Sequence, residues 1–164
     1  MRALASTSEV LAVPLQGNVT QMEYYFVELQ VSGQTQALIL DTGSAITAMP
    51  CRYNCTRESC GQHMYPWLDT NLPGDDFVVD LFELSYVEGS MVEGILVSDY
   101  LTLAGTRIWL EFGCIYMESA KFYRQKANGV LGLARGSFFE IMYDQKLISE
   151  KGFAVCIAPN GGYL

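Results

Sequence analysis

Asp41-Thr42-Gly43-Ser44 follows directly on the apolar run Ala37-Leu38-Ile39-Leu40. An acidic side chain at the end of a strand that reads as fully buried is costly unless hydrogen bonds satisfy it. Thr42 and Ser44 bring hydroxyls, and Gly43 lets backbone N–H groups come close. A carboxylate held this way suits acid–base work on a water molecule. The same residues also make good turn chemistry, so the segment alone fits an Asx-type turn equally well. Nothing points to a serine or cysteine nucleophile, because the single histidine is His63 and no base partner is evident.

The elements that must position these residues are mostly β. Met22 to Val31 and Gln34 to Leu40 read as strands around the Ser32-Gly33 turn, which delivers Asp41. Phe77 to Tyr86 and Met91 to Leu101 read as a second hairpin around Val87-Glu88-Gly89-Ser90. Its polar, small-residue tip is expected to be exposed and mobile, as a lid must be. Arg107 to Cys114 is a further strand. Ser137 to Leu147 is the good helix candidate, with Ser137 as N-cap and Glu140 completing a capping box. Phe138, Ile141, Met142 and Tyr143 supply its apolar face. The longest loop runs from Cys51 to Asp76, with Pro50, Pro66 and Pro73 breaking regular structure.

Composition narrows the field. At 164 residues, half of them hydrophobic, the chain fits one domain with a sizeable core. Ten basic against eighteen acidic residues give a net charge of −8, which argues against a nucleic-acid partner. No apolar run approaches the roughly 18 residues of a membrane span. Residues 1–9 read as a leader or linker remnant without the apolar core of a signal peptide. A secretory targeting segment is therefore expected upstream or already removed, and any membrane anchor in a missing part.

The chain resembles the amino-terminal lobe of a pepsin-like aspartic protease. Tyr24-Tyr25-Phe26-Val27 opens the hairpin leading to Asp41, and Leu84-Ser85-Tyr86-Val87-Glu88-Gly89-Ser90 looks like the flap that closes over substrate. Asn128-Gly129-Val130-Leu131-Gly132-Leu133 looks like the two-hydrophobics-then-Gly segment beside the Asp loop, and Phe153-Ala154-Val155-Cys156 like a late strand of the lobe. The likeness runs from about Val10 to Leu164. Cys51, Cys55, Cys60-Gly61-x-His63, the Tyr-x-Glu-Gly-Ser flap and Phe112-Gly113-Cys114 are most similar to the plasmepsin V type, which shares a cysteine-rich insert with plant nepenthesin-like enzymes.

That resemblance implies a mostly β lobe, with one or two short helices, over residues 10–164. It makes Asp41 catalytic, Thr42, Gly43 and Ser44 its support, and Tyr86, Val87, Glu88, Gly89 and Ser90 the substrate-covering flap. It implies a polypeptide substrate, no cofactor and no metal. Such enzymes need a D-[ST]-G in each of two lobes, and this chain has one. A carboxy-terminal lobe is the expected partner, so the chain is expected to be a fragment that is inactive alone. Two carboxylates about 3 Å apart share one proton, a situation for which this family is the standard example. One then takes a proton from a bridging water while the other protonates the peptide carbonyl, giving a diol without a covalent intermediate. A non-catalytic pepsin-like binding module and a retroviral-type homodimer are the alternatives. A plasmepsin V-type enzyme implies an Arg-containing substrate motif, with Glu88 either meeting that Arg or simply solvated.

Two departures from the family pattern stand out. Ala48 occupies the position of a common Trp that hydrogen-bonds the flap Tyr, so Tyr86 must be held differently and the adjacent wall should be more open. Val87 stands where some relatives carry a Cys, which leaves flap redox behaviour without support.

The cysteines allow two readings. Cys51, Cys55, Cys60 and His63 have ligand types suited to Zn²⁺; alternatively they belong to a disulfide framework of an oxidising compartment. The sequons Asn18-Val19-Thr20 and Asn54-Cys55-Thr56, with the resemblance, favour disulfides and a secretory-pathway location, whether endoplasmic reticulum, another endomembrane compartment or secretion. Cys51, Cys55, Cys60 and Cys114 then make two bonds, with three pairings open. Cys156 is the odd one, which in related enzymes bonds into the second lobe. His63 reads as a polar loop residue rather than a catalytic one.

Overall fold

The computed structural model describes residues 11–70 and 80–164. Their elements run β1 (Pro14–Asn18), β2 (Tyr24–Val31), β3 (Gln34–Asp41), β4 (Ala48–Pro50), β5 (Leu81–Ser85), β6 (Met91–Leu103), β7 (Thr106–Glu118), α1 (Ala120–Arg124), β8 (Gly129–Gly132), α2 (Phe138–Asp144), β9 (Cys156–Ala158) and β10 (Gly161–Tyr163). The described residues are mostly β, as the patterning predicts, with two short helices, of which the patterning predicts the one that begins at Phe138. The expected leader at 1–9, Pro73 and the start of the second hairpin at 77–79 lie outside the described residues.

Ser32 and Gly33 both take positive φ, 48° and 77°, so their turn has the twist that two-residue hairpins prefer. The turn sets the register of β2 on β3 from Val31↔Gln34 to Phe26↔Ile39. Phe26, Val27, Leu29 and Val31 are buried on β2, and Ala37 and Leu38 on β3. The sheet runs β5-β6-β7-β4-β8-β3-β2-β1-β10-β9, and a further β2–β6 pairing closes β6, β7, β4, β8, β3 and β2 into a ring. Inside it, Leu38, Met49, Leu101, Ile108, Phe112 and Leu131 are almost wholly buried.

The Asn128-to-Leu133 segment becomes β8, which lies parallel to β3 with Asp41 opposite Gly132. β4 meets β8 at Ala48↔Val130 and runs parallel to β7. β8 is thus threaded between β3 and β4, the two strands that the Asp loop joins. A Cβ on Gly132 would lie 2.7 Å from the carbonyl of Ile46, so only glycine allows this approach.

Several elements differ from expectation. β7 runs on to Glu118, four residues past the predicted end at Cys114, because its long antiparallel ladder with β6 continues across a bulge at Glu93/Gly94. The helix predicted to reach Leu147 ends at Asp144. Lys146 turns left-handed there, and the N–H groups of Lys146 and Leu147 reach back to Tyr143 and Met142, a Schellman end without glycine. The capping box does not form: Ser137 donates to the Ala134 carbonyl, and Glu140 accepts from the N–H of Gly136 at 3.0 Å. Phe138 and Met142 are buried, while Tyr143 faces outward. Of the late strand expected at 153–156, only Cys156 is extended into a ladder.

The pairing of cysteines is resolved as Cys51–Cys114 and Cys55–Cys60. The first joins the end of β4 to β7, and the second closes a small ring in the insert. Cys156 is exposed and unpaired among the described residues. The zinc alternative loses its ligands: the insert cysteines are all in disulfides, and the ring nitrogens of His63 lie against protein partners. His63 lies in a loop, as read from the sequence, but it is not solvated there. Its side chain is fully buried, with Nε2 2.9 Å from Glu118 Oε2 and Nδ1 3.2 Å from the Gln125 carbonyl.

Candidate active site

β3 ends at Asp41 on the rim of the barrel, and the chain must turn there to begin β4. The turn supplies what the carboxylate needs. Oδ1 accepts the N–H of Gly43 at 2.9 Å, and Oδ2 accepts the hydroxyl of Ser44. The Asp41 carbonyl accepts the N–H of Leu133 at 2.9 Å, and the Ser44 carbonyl that of Ala134 at 3.0 Å. The Thr47 hydroxyl accepts the N–H of Gly132 at 3.1 Å. β8 therefore holds the loop from below while its own backbone and Ser44 hold the carboxylate. Thr42 is exposed, next to the half-buried Asp41, on the same rim.

The second hairpin brings Tyr86 to this loop. The Tyr86 hydroxyl oxygen and Ser44 Oγ are 2.9 Å apart. Because Ser44 gives its only hydroxyl proton to Asp41, Tyr86 is the donor in this bond. Burial is the main cause that pushes the Tyr86 phenol up to about 12; the bond to Ser44 pulls the other way, and the nearby Asp41 and Glu88 charges add to the rise. The phenol stays protonated and remains a donor across the neutral and acidic range. The ring of Tyr86 packs against Phe122, centroids 5.0 Å apart. Ala48 is buried beneath, in the same apolar cluster as Phe122 and Tyr86. Tyr86 is thus held by a serine hydroxyl and a phenylalanine ring, with Ala48 where a Trp is the expected alternative.

The flap tip divides into two parts. Val87 is fully exposed, Glu88 and Gly89 are exposed, and Gly89 sits at φ 91° in a turn closed by its N–H on the Tyr86 carbonyl. Ser90 departs from the expected solvated tip: it is 1 % exposed, and its hydroxyl oxygen accepts the N–H of Lys121 at 3.3 Å. Ser119 bonds both the N–H and the carbonyl of Met91. The base of the flap is thereby sewn to α1.

A cleft of about 450 Å³ opens beside Asp41. Its walls include Ile39, Tyr86, Phe122, Val130, Met22 and Tyr24, and its charged residues besides Asp41 are Glu23, Glu88, Lys121 and Arg124. Sequence reasoning reached Asp41, Tyr86 and Glu88 but missed Phe122 and Glu23. α1 is five residues long, too short to show a helical period, and Glu23 looks like an ordinary residue before a strand.

A strand-borne carboxylate in a hydrogen-bonded loop, faced by a hairpin tyrosine over a cleft, is the arrangement that aspartic-protease chemistry requires. The chain belongs to the eukaryotic aspartyl protease family, whose model matches residues 24–162. It is 27 % identical to Aspartic protease 5 of Toxoplasma gondii, over 95 % of this chain and 20 % of that protein. It is 26 % identical to Plasmepsin V of Plasmodium falciparum, over 97 % of this chain and 32 % of the relative. An aspartic proteinase of Oryza sativa subsp. indica is also 26 % identical, over 98 % of this chain and 47 % of its own length. The chain therefore spans about a fifth to a half of the length of these relatives.

Proposed function

We propose that residues 10–164 form the amino-terminal lobe of an aspartic endopeptidase, with Asp41 as one of two catalytic carboxylates. The observation that carries the reading is Asp41 itself, bonded on both oxygens and facing the cleft under Tyr86. A carboxylate so oriented can hold a water against a second carboxylate and trade a proton with it. Thr42, exposed beside it, is placed to meet the opposite loop. Tyr86 closes the cleft and keeps bulk water from the scissile bond. The chemistry needs no cofactor.

The second carboxylate comes, in this proposal, from a carboxy-terminal lobe docked on the β10–β9 end of the sheet. β9 is an edge strand, and Phe153, Val155, Ile157 and Tyr163 are exposed around it. Unpaired edges and apolar side chains of this kind mark an interface. Cys156 lies on the same strand and is free for a bond across it. The substrate is a polypeptide, with a basic side chain received beside Glu88 and Glu23. Two disulfides and two sequons support a secretory-pathway location.

The test begins with the transcript downstream of the Leu164 codon. A second D-[ST]-G in a β-rich lobe supports the proposal, and a stop codon there overturns it. The two-lobe protein should cleave peptides, with kcat lowered on the order of 10³-fold in Asp41→Asn. The 164-residue chain alone should show no Asp41-dependent cleavage.

A further inference from the structure

We infer that Asn18 is the residue of this chain that carries an N-linked glycan and that Asn54 is not, an inference resting on the secretory-pathway reading above. Both lie in Asn-x-Thr sequons, so the sequence alone does not rank them. Their surroundings do.

Asn18 ends β1 and opens the turn to β2. Its Oδ1 accepts the Gln21 N–H at 2.7 Å and the Thr20 hydroxyl at 3.3 Å. Two donors on one oxygen fix which way the carboxamide points, and they leave Nδ2, the atom that takes the sugar, with no bond among the described residues. Val19 is 62 % exposed, Thr20 is exposed and Asn18 is half-buried; Asn54 and Thr56 are exposed too, so it is hydrogen bonding and backbone shape, not exposure, that separate the two sequons. The Thr20–Asn18 bond is internal to the sequon.

The second sequon is tied up. Cys55, its middle residue, is bonded to Cys60, only five positions on. The Thr56 hydroxyl oxygen accepts the N–H groups of Glu58 and Ser59 at 3.2 Å and donates to Ser59 Oγ at 3.3 Å. It caps its own turn and does not turn back to Asn54. Asn54 itself is held at φ 57°, a left-handed conformation that a transferase needing an extended acceptor must undo.

The donor class is an oligosaccharide on a lipid pyrophosphate. Asn18 Nδ2 forms a C–N bond to the anomeric carbon and gives up one proton. The anomeric C–O bond breaks, and the lipid pyrophosphate leaves with its electron pair and takes up that proton. Asn18 pairs with Tyr24, and Met22, Glu23 and Tyr24 line the cleft, so the glycan stands beside the lip of the candidate active site.

The experiment expresses the full 164-residue chain behind a cleavable secretory leader in a eukaryotic host. Forcing entry into the pathway separates the acceptor question from natural location, which fractionation of the native cells would test on its own. Peptide-N-glycosidase should give a single mobility shift, and peptide mass spectrometry should place the deamidated residue at position 18. Asn18→Gln and Thr20→Ala should abolish the shift, whereas Thr20→Ser and Asn54→Gln should keep it. Cys60→Ala, which opens the ring but preserves the sequon, should add a second shift. Occupied Asn54 with Cys60 intact, or unmodified Asn18, overturns the inference. A Cys60→Ala chain that stays at one shift removes the disulfide as the reason.

Discussion

Asp41 sits at the mouth of an apolar barrel, and its carboxylate stays there because Gly43 and Ser44 each give it a hydrogen. Ser44 is the hinge of the cluster, donating to Asp41 and accepting from Tyr86 while 5 % exposed. Ser44→Ala strands both partners, and the expected loss of stability is about 1–3 kcal/mol. Urea unfolding checks this, and a change well below that range would mean that Tyr86 and Asp41 find other partners. Tyr86 makes a second prediction. Its phenol is raised from 10.0 to about 12 in the folded chain, so the native state keeps a proton that the unfolded state loses between those values. Stability from this source is complete below pH 10 and fades as pH rises toward 12. Stability curves of wild type and Tyr86→Phe should therefore converge across that window, and curves that stay parallel would contradict it.

α1 is the element on which the site depends most, although it is only five residues long. Its start bonds the flap at Ser90 and Met91, and Phe122 supports Tyr86. Its far end is fixed through the Gln125 carbonyl to His63, and His63 meets Glu118, which also accepts the Gly61 N–H at 2.8 Å. The cysteine insert is thus tied to α1, and α1 to the flap. His63→Ala leaves a buried carboxylate short of a partner, at an expected cost of about 2–3 kcal/mol. Hydrogen exchange should quicken in α1 and at Tyr86–Ser90 before it does in β2 and β3; uniform quickening would show that the link is not local. The disulfides differ in reach, closing separations of 63 and 5 residues. On loop entropy, Cys114→Ala should cost about 4 kcal/mol and Cys60→Ala about 2 kcal/mol. Equal losses in denaturant unfolding would show that chain entropy is not the main term.

At the scale of the whole molecule, the closed ring of strands gives way at one end to an open edge. β9 offers unpaired backbone groups, and Ile157 and Tyr163 are each 59 % exposed beside it. Without a second lobe, such an edge pairs with whatever edge it meets. The isolated chain is therefore expected to self-associate with rising concentration, and Ile157→Lys to keep it monomeric. Sedimentation equilibrium decides; a wild-type chain that stays monomeric at high concentration would argue that this edge is not sticky.

Local signals in the chain suffice for the hairpins, the Asp loop and the helix around Phe138, because turns, alternation and caps act over a few residues. Ser32-Gly33, Asp41-Thr42-Gly43-Ser44 and the flap tip are legible for that reason. The helix end at Lys146 is less so, since nothing in a lysine announces a left-handed cap. The disulfide pairing, the burial of His63, the anchoring of Ser90 and the role of Phe122 depend on segments far apart in sequence. His63 and Glu118 lie 55 positions apart, and the β4–β7 pairing, the Cys51–Cys114 link and the bond from the Glu118 N–H to the Ser59 carbonyl bring them together. Residue order alone specifies the carboxylate, its loop and the flap that faces it. Which groups hold that flap follows only from the folded arrangement, because hydrogen bonds and ring contacts depend on distance in space, not position along the chain.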